Sequence, residues 1–173
     1  MIISIVGPES SGKSSLAEAL SRHCGVPWLP EYAREYLEGR PDYVEQDLEE
    51  IAREQVRREQ RIIEENPELV ILDTDLVVIS IWWQEVFGHV PDWVSRHLRN
   101  QSPRNYLLVH PDLPWEFDPL RVSPHDRDRL FGLYQSFLRN EGFSVAEIFG
   151  QGEARTQMAL AALEGISAGG IDP

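Results

Sequence analysis

Apolar and polar positions along the chain fall into blocks of two kinds, runs that stay apolar and runs that turn polar every third or fourth residue. Residues 1 to 6 form an apolar run suited to a parallel strand covered on both faces. From Ser14 to Cys24, the residues Leu16, Ala17, Leu20 and Cys24 recur on one helical face, which predicts a helix with Cys24 as a packed thiol. Val26 to Pro30 is a second, short strand candidate with flanking prolines. Pro41 to Glu65 predicts a long helix carrying Val44, Leu48, Ile51 and Ile62, closed by Asn66-Pro67. Its Glu49/Arg53 and Glu54/Arg58 pairs at i, i+4 spacing mark a solvated face.

Leu69 to Leu72 is a third buried run and ends in Asp73-Thr74-Asp75. Helices follow over Leu76 to Phe87, stopped by Gly88, and over Pro91 to Arg99. Tyr106 to His110 is a fourth strand, and the proline-rich stretch from Pro111 to Pro124 reads as a loop. Asp126 to Asn140 is helical, with Leu130, Leu133, Phe137 and Leu138 on one side and Gly142 as its stop. Phe143 to Phe149 is a fifth strand and Glu153 to Leu163 a last helix. Strands alternating with helices imply an α/β fold with a five-stranded, mostly parallel sheet sandwiched by helices. A single domain over residues 1–165 and a flexible tail over 166–173 are expected.

At 173 residues and 42% hydrophobic content, the chain suffices for one buried core and falls short of two domains. No apolar run approaches membrane-spanning length and the opening residues lack the basic flank of a signal peptide, so a cytoplasmic protein without a membrane partner is expected. A net charge of −13 would repel a polyanion, and nucleic acid is not an expected partner. Small anions differ, because a nest of backbone N–H groups with one cation can hold phosphate against an unfavourable global field. Lys13 is the only lysine, and the other 15 basic residues are arginine. A compact ammonium fits between phosphate oxygens where a planar guanidinium is too wide. The histidines show no metal-ligand spacing.

Lys13 lies in Gly7-Pro8-Glu9-Ser10-Ser11-Gly12-Lys13-Ser14, which satisfies G-x-x-x-x-G-K-[ST]. Chance alone produces such a string in on the order of one chain in a hundred of this length. Here it follows a buried strand and opens a helix, the context in which loop N–H groups and the positive helix end converge on a phosphate. Gly7 and Gly12 let the backbone approach the phosphates, and Glu9, Ser10, Ser11 and Ser15 complete the nucleotide-binding segment. Lys13 would neutralise the β- and γ-phosphates of ATP, and the Ser14 hydroxyl would coordinate Mg²⁺.

The metal-side carboxylate should come from the end of another buried strand, where Asp73 stands. Asp75 points the same way if the chain stays extended; alternatively it caps the helix starting at Leu76. Glu31 follows the second strand. If that strand runs beside the phosphate-loop strand, Glu31 lies in the ligand crevice and could accept the proton of an acceptor hydroxyl; otherwise it complements a helix dipole. Tyr32 beside it, Arg34, Asp75 and Trp115 make up the expected acceptor side, although Arg34 could equally cover the surface. In the proline-rich loop, Arg121 is the cation best placed to reach a transferring phosphoryl group, whereas Arg127 and Arg129 are expected to form ion pairs on the following helix. Trp82 or Trp83, like Trp115, could stack on a flat base.

Taken together these segments resemble the ribosylnicotinamide kinase domain of NadR-type NAD-biosynthesis proteins and their AAA-like P-loop ATPase relatives. The likeness runs through Gly7 to Ser14, Glu31-Tyr32-Ala33-Arg34-Glu35-Tyr36, Leu72-Asp73-Thr74-Asp75, Pro111-Asp112-Leu113-Pro114-Trp115, Asp118, Leu120-Arg121, and Ile148-Phe149-Gly150 followed by Arg155. It implies a P-loop NTPase fold of the nucleoside/nucleotide-kinase kind, phosphorylation of nicotinamide riboside by Mg-ATP, and a place for Arg155 at the nucleotide. Pro119 stands where the family often has glycine and stiffens the loop. The alternative class is a regulatory ATPase or nucleotide switch without a small-molecule acceptor. An enclosed acceptor site near Glu31, Arg34 and Asp75 separates the two. A GTPase is disfavoured, since no Asn-Lys-x-Asp string is possible with the only lysine at position 13.

Overall fold

The computed structural model describes residues 1–40, 42–115 and 126–168. Along the chain these form β1 (Ile2–Val6), α1 (Lys13–Cys24), β2 (Trp28–Leu29), α2 (Tyr32–Tyr36), α3 (Glu45–Glu64) and β3 (Val70–Asp73). There follow α4 (Leu76–Phe87), α5 (Asp92–Asn100), β4 (Asn105–Val109), α6 (Arg127–Asn140), β5 (Ser144–Ile148) and α7 (Gly152–Ser167). Every ladder is parallel, and the sheet order β2-β3-β1-β4-β5 puts β1 in the centre.

Side-chain alternation along the strands explains why both faces need helices. Ile3 and Ile5 of β1, Ile71 of β3, and Leu107 and Val109 of β4 point to one face, where they pack with Leu16 and Leu20 of α1 and with Ala159 and Leu163 of α7. Val6, Tyr106 and Leu108 point to the other, against Leu48 and Ile51 of α3, Val77 and Ile81 of α4, and Leu138 of α6. The near-continuous apolar runs are the sequence signature of this double cover.

Four expectations are corrected and one element is added. Glu31 does follow β2, but β2 is an edge strand; β3 lies between it and the phosphate-loop strand, because four buried residues of β3 give a longer ladder to β1 than two of β2 could. Cys24, expected to be packed, is exposed at the end of α1. Val44 is exposed and precedes α3, which starts at Glu45 with the Asp47 carboxylate accepting the Val44 N–H at 2.8 Å; Pro41 lies outside the described residues. The short α2 was not anticipated, since five residues are too few to show a period. Helix α7 runs on to Ser167, and Ile166 packs against the core, so residue 166 does not begin a tail; residues 169–173 lie outside those described.

Beneath the α3/α4 face sits a buried polar cluster that the hydrophobic pattern did not reveal. Arg104, just before β4, reaches Glu59 of α3 at 2.6 Å and Asp75 at 3.3 Å, and the Ser4 hydroxyl donates to Asp75 at 2.9 Å. Burial disfavours the Arg104 cation, but the hydrogen bond with Glu59 and the charges of Asp75 and Glu59 more than offset it and keep the guanidinium protonated. Removing one partner of such a cluster leaves buried charge uncompensated. Arg104→Met is therefore expected to lower unfolding stability by about 3–5 kcal/mol, read from urea denaturation. A loss below about 1 kcal/mol, the range of an exposed pair, would mean the cluster contributes little.

Candidate functional site

The loop from Gly7 to Gly12 carries the chain from the centre of the sheet into α1. Gly7 has φ +142, and a Cβ there would lie 2.6 Å from the Val109 carbonyl oxygen on β4, so only glycine lets the loop leave β1 so close to its neighbour. At Gly12, φ +81, a Cβ would lie 2.7 Å from Leu113 Cδ1 and 3.2 Å from Arg155 Nη1. Gly12 has no side chain to cap α1, so the first-turn N–H donors are left to water or to an anion. Ser11 donates to the Pro8 carbonyl at 2.7 Å, and the Lys13 ammonium donates to the carbonyls of Gly7 and Pro8 at 2.9 and 2.8 Å, which holds it over the loop.

Asp73 closes β3 opposite Ile5 of β1 and is buried. The Ser14 hydroxyl and the Glu31 backbone N–H act on its carboxylate, yet Oδ1 has no hydrogen-bond partner. Burial pushes its pKa above the usual carboxylate value, with Ser14, Lys13 and Arg34 opposing. A buried, unpaired carboxylate oxygen next to a hydroxyl suits a hard cation that seeks oxygen ligands, and Mg²⁺ needs only one or two such protein groups beside substrate phosphates. Ser14 and Asp73 thus fit the metal expected from the sequence. Glu31 stands at the N-cap position of α2 without a side-chain capping bond and pairs with Arg34 at 3.2 Å. Burial holds its carboxyl above the usual range; Lys13 pulls it back, Asp73 pushes it up, and Arg34 pulls it down.

These groups open into one cavity of about 580 Å³. The loop residues Gly7 to Ser15 line it, with Glu31 and Arg34. Opposed to these polar groups are Val78, Ile81, Trp82, Glu85 and Val86 of α4, with Tyr43, Leu130 and Tyr134. The α4 positions follow i, i+3, i+4, i+7, i+8 spacing and so share one helix face. Trp82 is held edge-on to Tyr43, at 5.1 Å between ring centres, with its Nε1 donating to the Tyr43 hydroxyl at 2.7 Å. Trp83 is buried on another face and donates to Glu45 at 2.8 Å, which takes it out of reach of a ligand in the cavity.

Of the expected site residues, Gly7, Glu9, Ser10, Ser11, Gly12, Lys13, Ser14, Ser15, Glu31 and Arg34 converge on this cavity, and Asp73 stands against Ser14 and Glu31. Asp75 does not join them. Thr74 takes a left-handed conformation, φ 72, so the chain is not extended and Asp75 turns away to cap α4 through the Val77 N–H at 2.9 Å. Tyr32 packs edge-on against Tyr36 and under the Arg58 guanidinium, away from the cavity lining. Arg155 does not line the cavity and braces the loop: it donates to the carbonyls of Ser11, Gly150 and His110 and pairs with Asp112. Trp115 Nε1 donates to Glu9 at 3.3 Å, at the margin of the site. Arg121 lies outside the described residues.

Arg127 brings a correction of another kind. Expected to form ion pairs on its own helix, it donates instead to the carbonyls of Leu113 at 2.9 Å and Ser10 at 3.4 Å, which brings a guanidinium to the phosphate loop. Its Nε is buried without a hydrogen-bond partner. Arg129 pairs with Asp126, as expected, and also with Glu85 on the cavity wall. Nothing in the local sequence distinguishes the two arginines; the pairing partners belong to distant segments.

A family model described as an AAA domain matches residues 2–155. No curated protein matches the chain. Among solved structures, NadR in complex with NR superposes with a TM-score of 0.79 at 19% identity over 99% of this chain and 53% of that one. NadR with NAD and AMP-PNP gives a TM-score of 0.73 at 19% identity, covering 99% of this chain and 51% of that chain. The chain thus spans about half the length of these relatives. Deoxyadenosine kinase from M. mycoides, with its products bound, has a TM-score of 0.64 at 15% identity over 96% of this chain and 100% of that one. The fold is that of the P-loop NTPases, as the sequence pattern implies.

The close approach at Gly7 yields a test. Gly7→Ala is expected to cost about 1–3 kcal/mol of stability from overpacking. Its affinity for ATP analogues should fall about tenfold or more, which calorimetric titration would read. Gly142→Ala, which meets nothing within 4 Å, should leave that affinity unchanged.

Proposed function

The chain belongs to the AAA-domain family, and from that premise we propose that it is an ATP-dependent small-molecule kinase that phosphorylates a nucleoside, nicotinamide riboside being the first acceptor to test. The observation that carries this reading is the continuity of the cavity: phosphate loop, Glu31 carboxylate and apolar aromatic wall line one and the same space. A nucleotide switch needs the loop but has no use for an acceptor compartment lined by Val78, Ile81, Trp82 and Tyr43. The folds of NadR and of a deoxynucleoside kinase add support by analogy.

In this reading the backbone N–H groups of the loop hold the β-phosphate of ATP, and Lys13 neutralises the β- and γ-phosphates. Mg²⁺, held by Ser14 and Asp73, would shield the phosphate charge. Glu31 accepts the proton of the acceptor hydroxyl as its oxygen attacks the γ-phosphorus and the bond to the β-phosphate oxygen breaks, releasing ADP. Burial shifts the Glu31 carboxyl upward, the direction a general base requires. Arg127, whose guanidinium reaches the Ser10 carbonyl of the loop, would supply the cation over the transferring phosphoryl group that the sequence suggested for Arg121. The face of Trp82 offers a flat apolar surface to the base of the acceptor.

The decisive measurement is ADP release from Mg-ATP across a panel of nucleosides that includes nicotinamide riboside. Nucleoside-dependent turnover is expected, abolished by Lys13→Ala and reduced about 10²–10⁴-fold in kcat by Glu31→Gln. ATP turnover indifferent to every nucleoside would sink the kinase reading in favour of a nucleotide switch.

A further inference from the structure

We infer that Asp75, backed by Arg104 and Glu59, is a positioning residue that aims Asp73 at the metal side of the nucleotide site. The inference rests on the reading of Asp73 as the metal-side carboxylate. Thr74, between the two aspartates, is buried and left-handed at φ 72, a conformation that a β-branched residue adopts only under constraint. Its N–H donates to the Ile5 carbonyl at 3.1 Å, which carries the β1–β3 ladder one residue past Asp73.

On the far side of the strained residue, Asp75 is held at both oxygens. Oδ1 takes the Val77 N–H, and Oδ2 takes the Ser4 hydroxyl and, at 3.3 Å, Arg104. Arg104 is fixed in turn by Glu59 of α3 at 2.6 Å. All these side chains are buried, and none of them lines the cavity. Asp73, on the near side, keeps an unpaired Oδ1. An anchored Asp75 thus pins a turn that would otherwise relax, and the turn sets the direction of the carboxylate before it.

The test measures binding, with no turnover required. The full chain is titrated with ADP by calorimetry, once with Mg²⁺ and once with EDTA, and the ratio of the two affinities is the readout. Asp73→Asn should abolish the gain from Mg²⁺. Asp75→Asn keeps an acceptor for the Val77 N–H but turns an amide toward Arg104. It should lower the Mg²⁺-dependent gain about 10–100-fold, as loss of an outer-sphere partner does, while affinity in EDTA changes less than about twofold. Adding Thr74→Gly should restore much of the gain, because glycine takes φ 72 without strain. If Asp75→Asn does not fold, Glu59→Gln, at the remote end of the chain of contacts, is expected to reduce the same ratio.

A wild-type Mg²⁺ gain in Asp75→Asn, with the gain lost in Asp73→Asn, overturns the inference and leaves the reading of Asp73 standing. An equal loss of affinity in Mg²⁺ and in EDTA also overturns it, by making Asp75 a purely structural cap. A gain retained in Asp73→Asn overturns the reading of Asp73 itself and the inference with it.

Discussion

The two parallel ladders of β1, to β3 on one side and β4 on the other, set where every group at the nucleotide end can stand. Register does this directly. Pairing Ile5 with Asp73 brings the carboxylate level with the end of β1, one residue from the loop that follows Val6. Pairing Val6 with Leu108 brings Val109 against Gly7, close enough to forbid any side chain there. Shifting either ladder by one residue would turn Asp73 to the other face of the sheet or separate β4 from the loop. The loop is flexible in composition, and the strands beside it give it a fixed frame.

Charge is distributed with equal economy. A chain with a net charge of −13 nevertheless brings Lys13 and Arg34 to one cavity, where backbone donors at the start of α1 add to their field. Much of the remaining arginine is occupied with carboxylates: Arg53 with Glu49, Arg58 with Glu35 and Glu54, Arg129 with Glu85 and Asp126. Pairing of this kind keeps guanidinium groups from competing with the loop for phosphate. It also leaves Lys13 as the one ammonium, suited to a place between phosphate oxygens.

Legibility of the site varied with the range of the contacts involved. The place of the Gly7–Ser14 loop could be read because its motif is packed into eight consecutive residues between a strand and a helix. The place of Asp73 could be read because it closes a buried run. Asp75 could not be assigned, since the answer hung on one backbone angle at Thr74 that no local pattern announces. The contacts of Arg155 and Arg127 could not be read either. Arg155 is consumed by carbonyls from three separate segments, and Arg127 is free of its own helix because Asp126 pairs with Arg129. The apolar wall of the cavity was in view as the spacing of Val78, Ile81, Trp82 and Glu85, yet an almost wholly apolar helix gives no hint of which face meets a ligand and which meets the core.

The sequence by itself determined the order of the strands and of the longer helices, the parallel α/β sheet and the strand–loop–helix setting of the Gly7–Ser14 motif, because these follow from periodicity and from steric rules that act within a few residues. Only the tertiary structure decided that β3 and not β2 lies beside β1, that Arg104 and Glu59 form a buried cluster with Asp75, and that α4 supplies one wall of the cavity. Those outcomes depend on ladder register and on partners dozens of residues apart. Their free energy exists only once desolvation and packing bring the segments together.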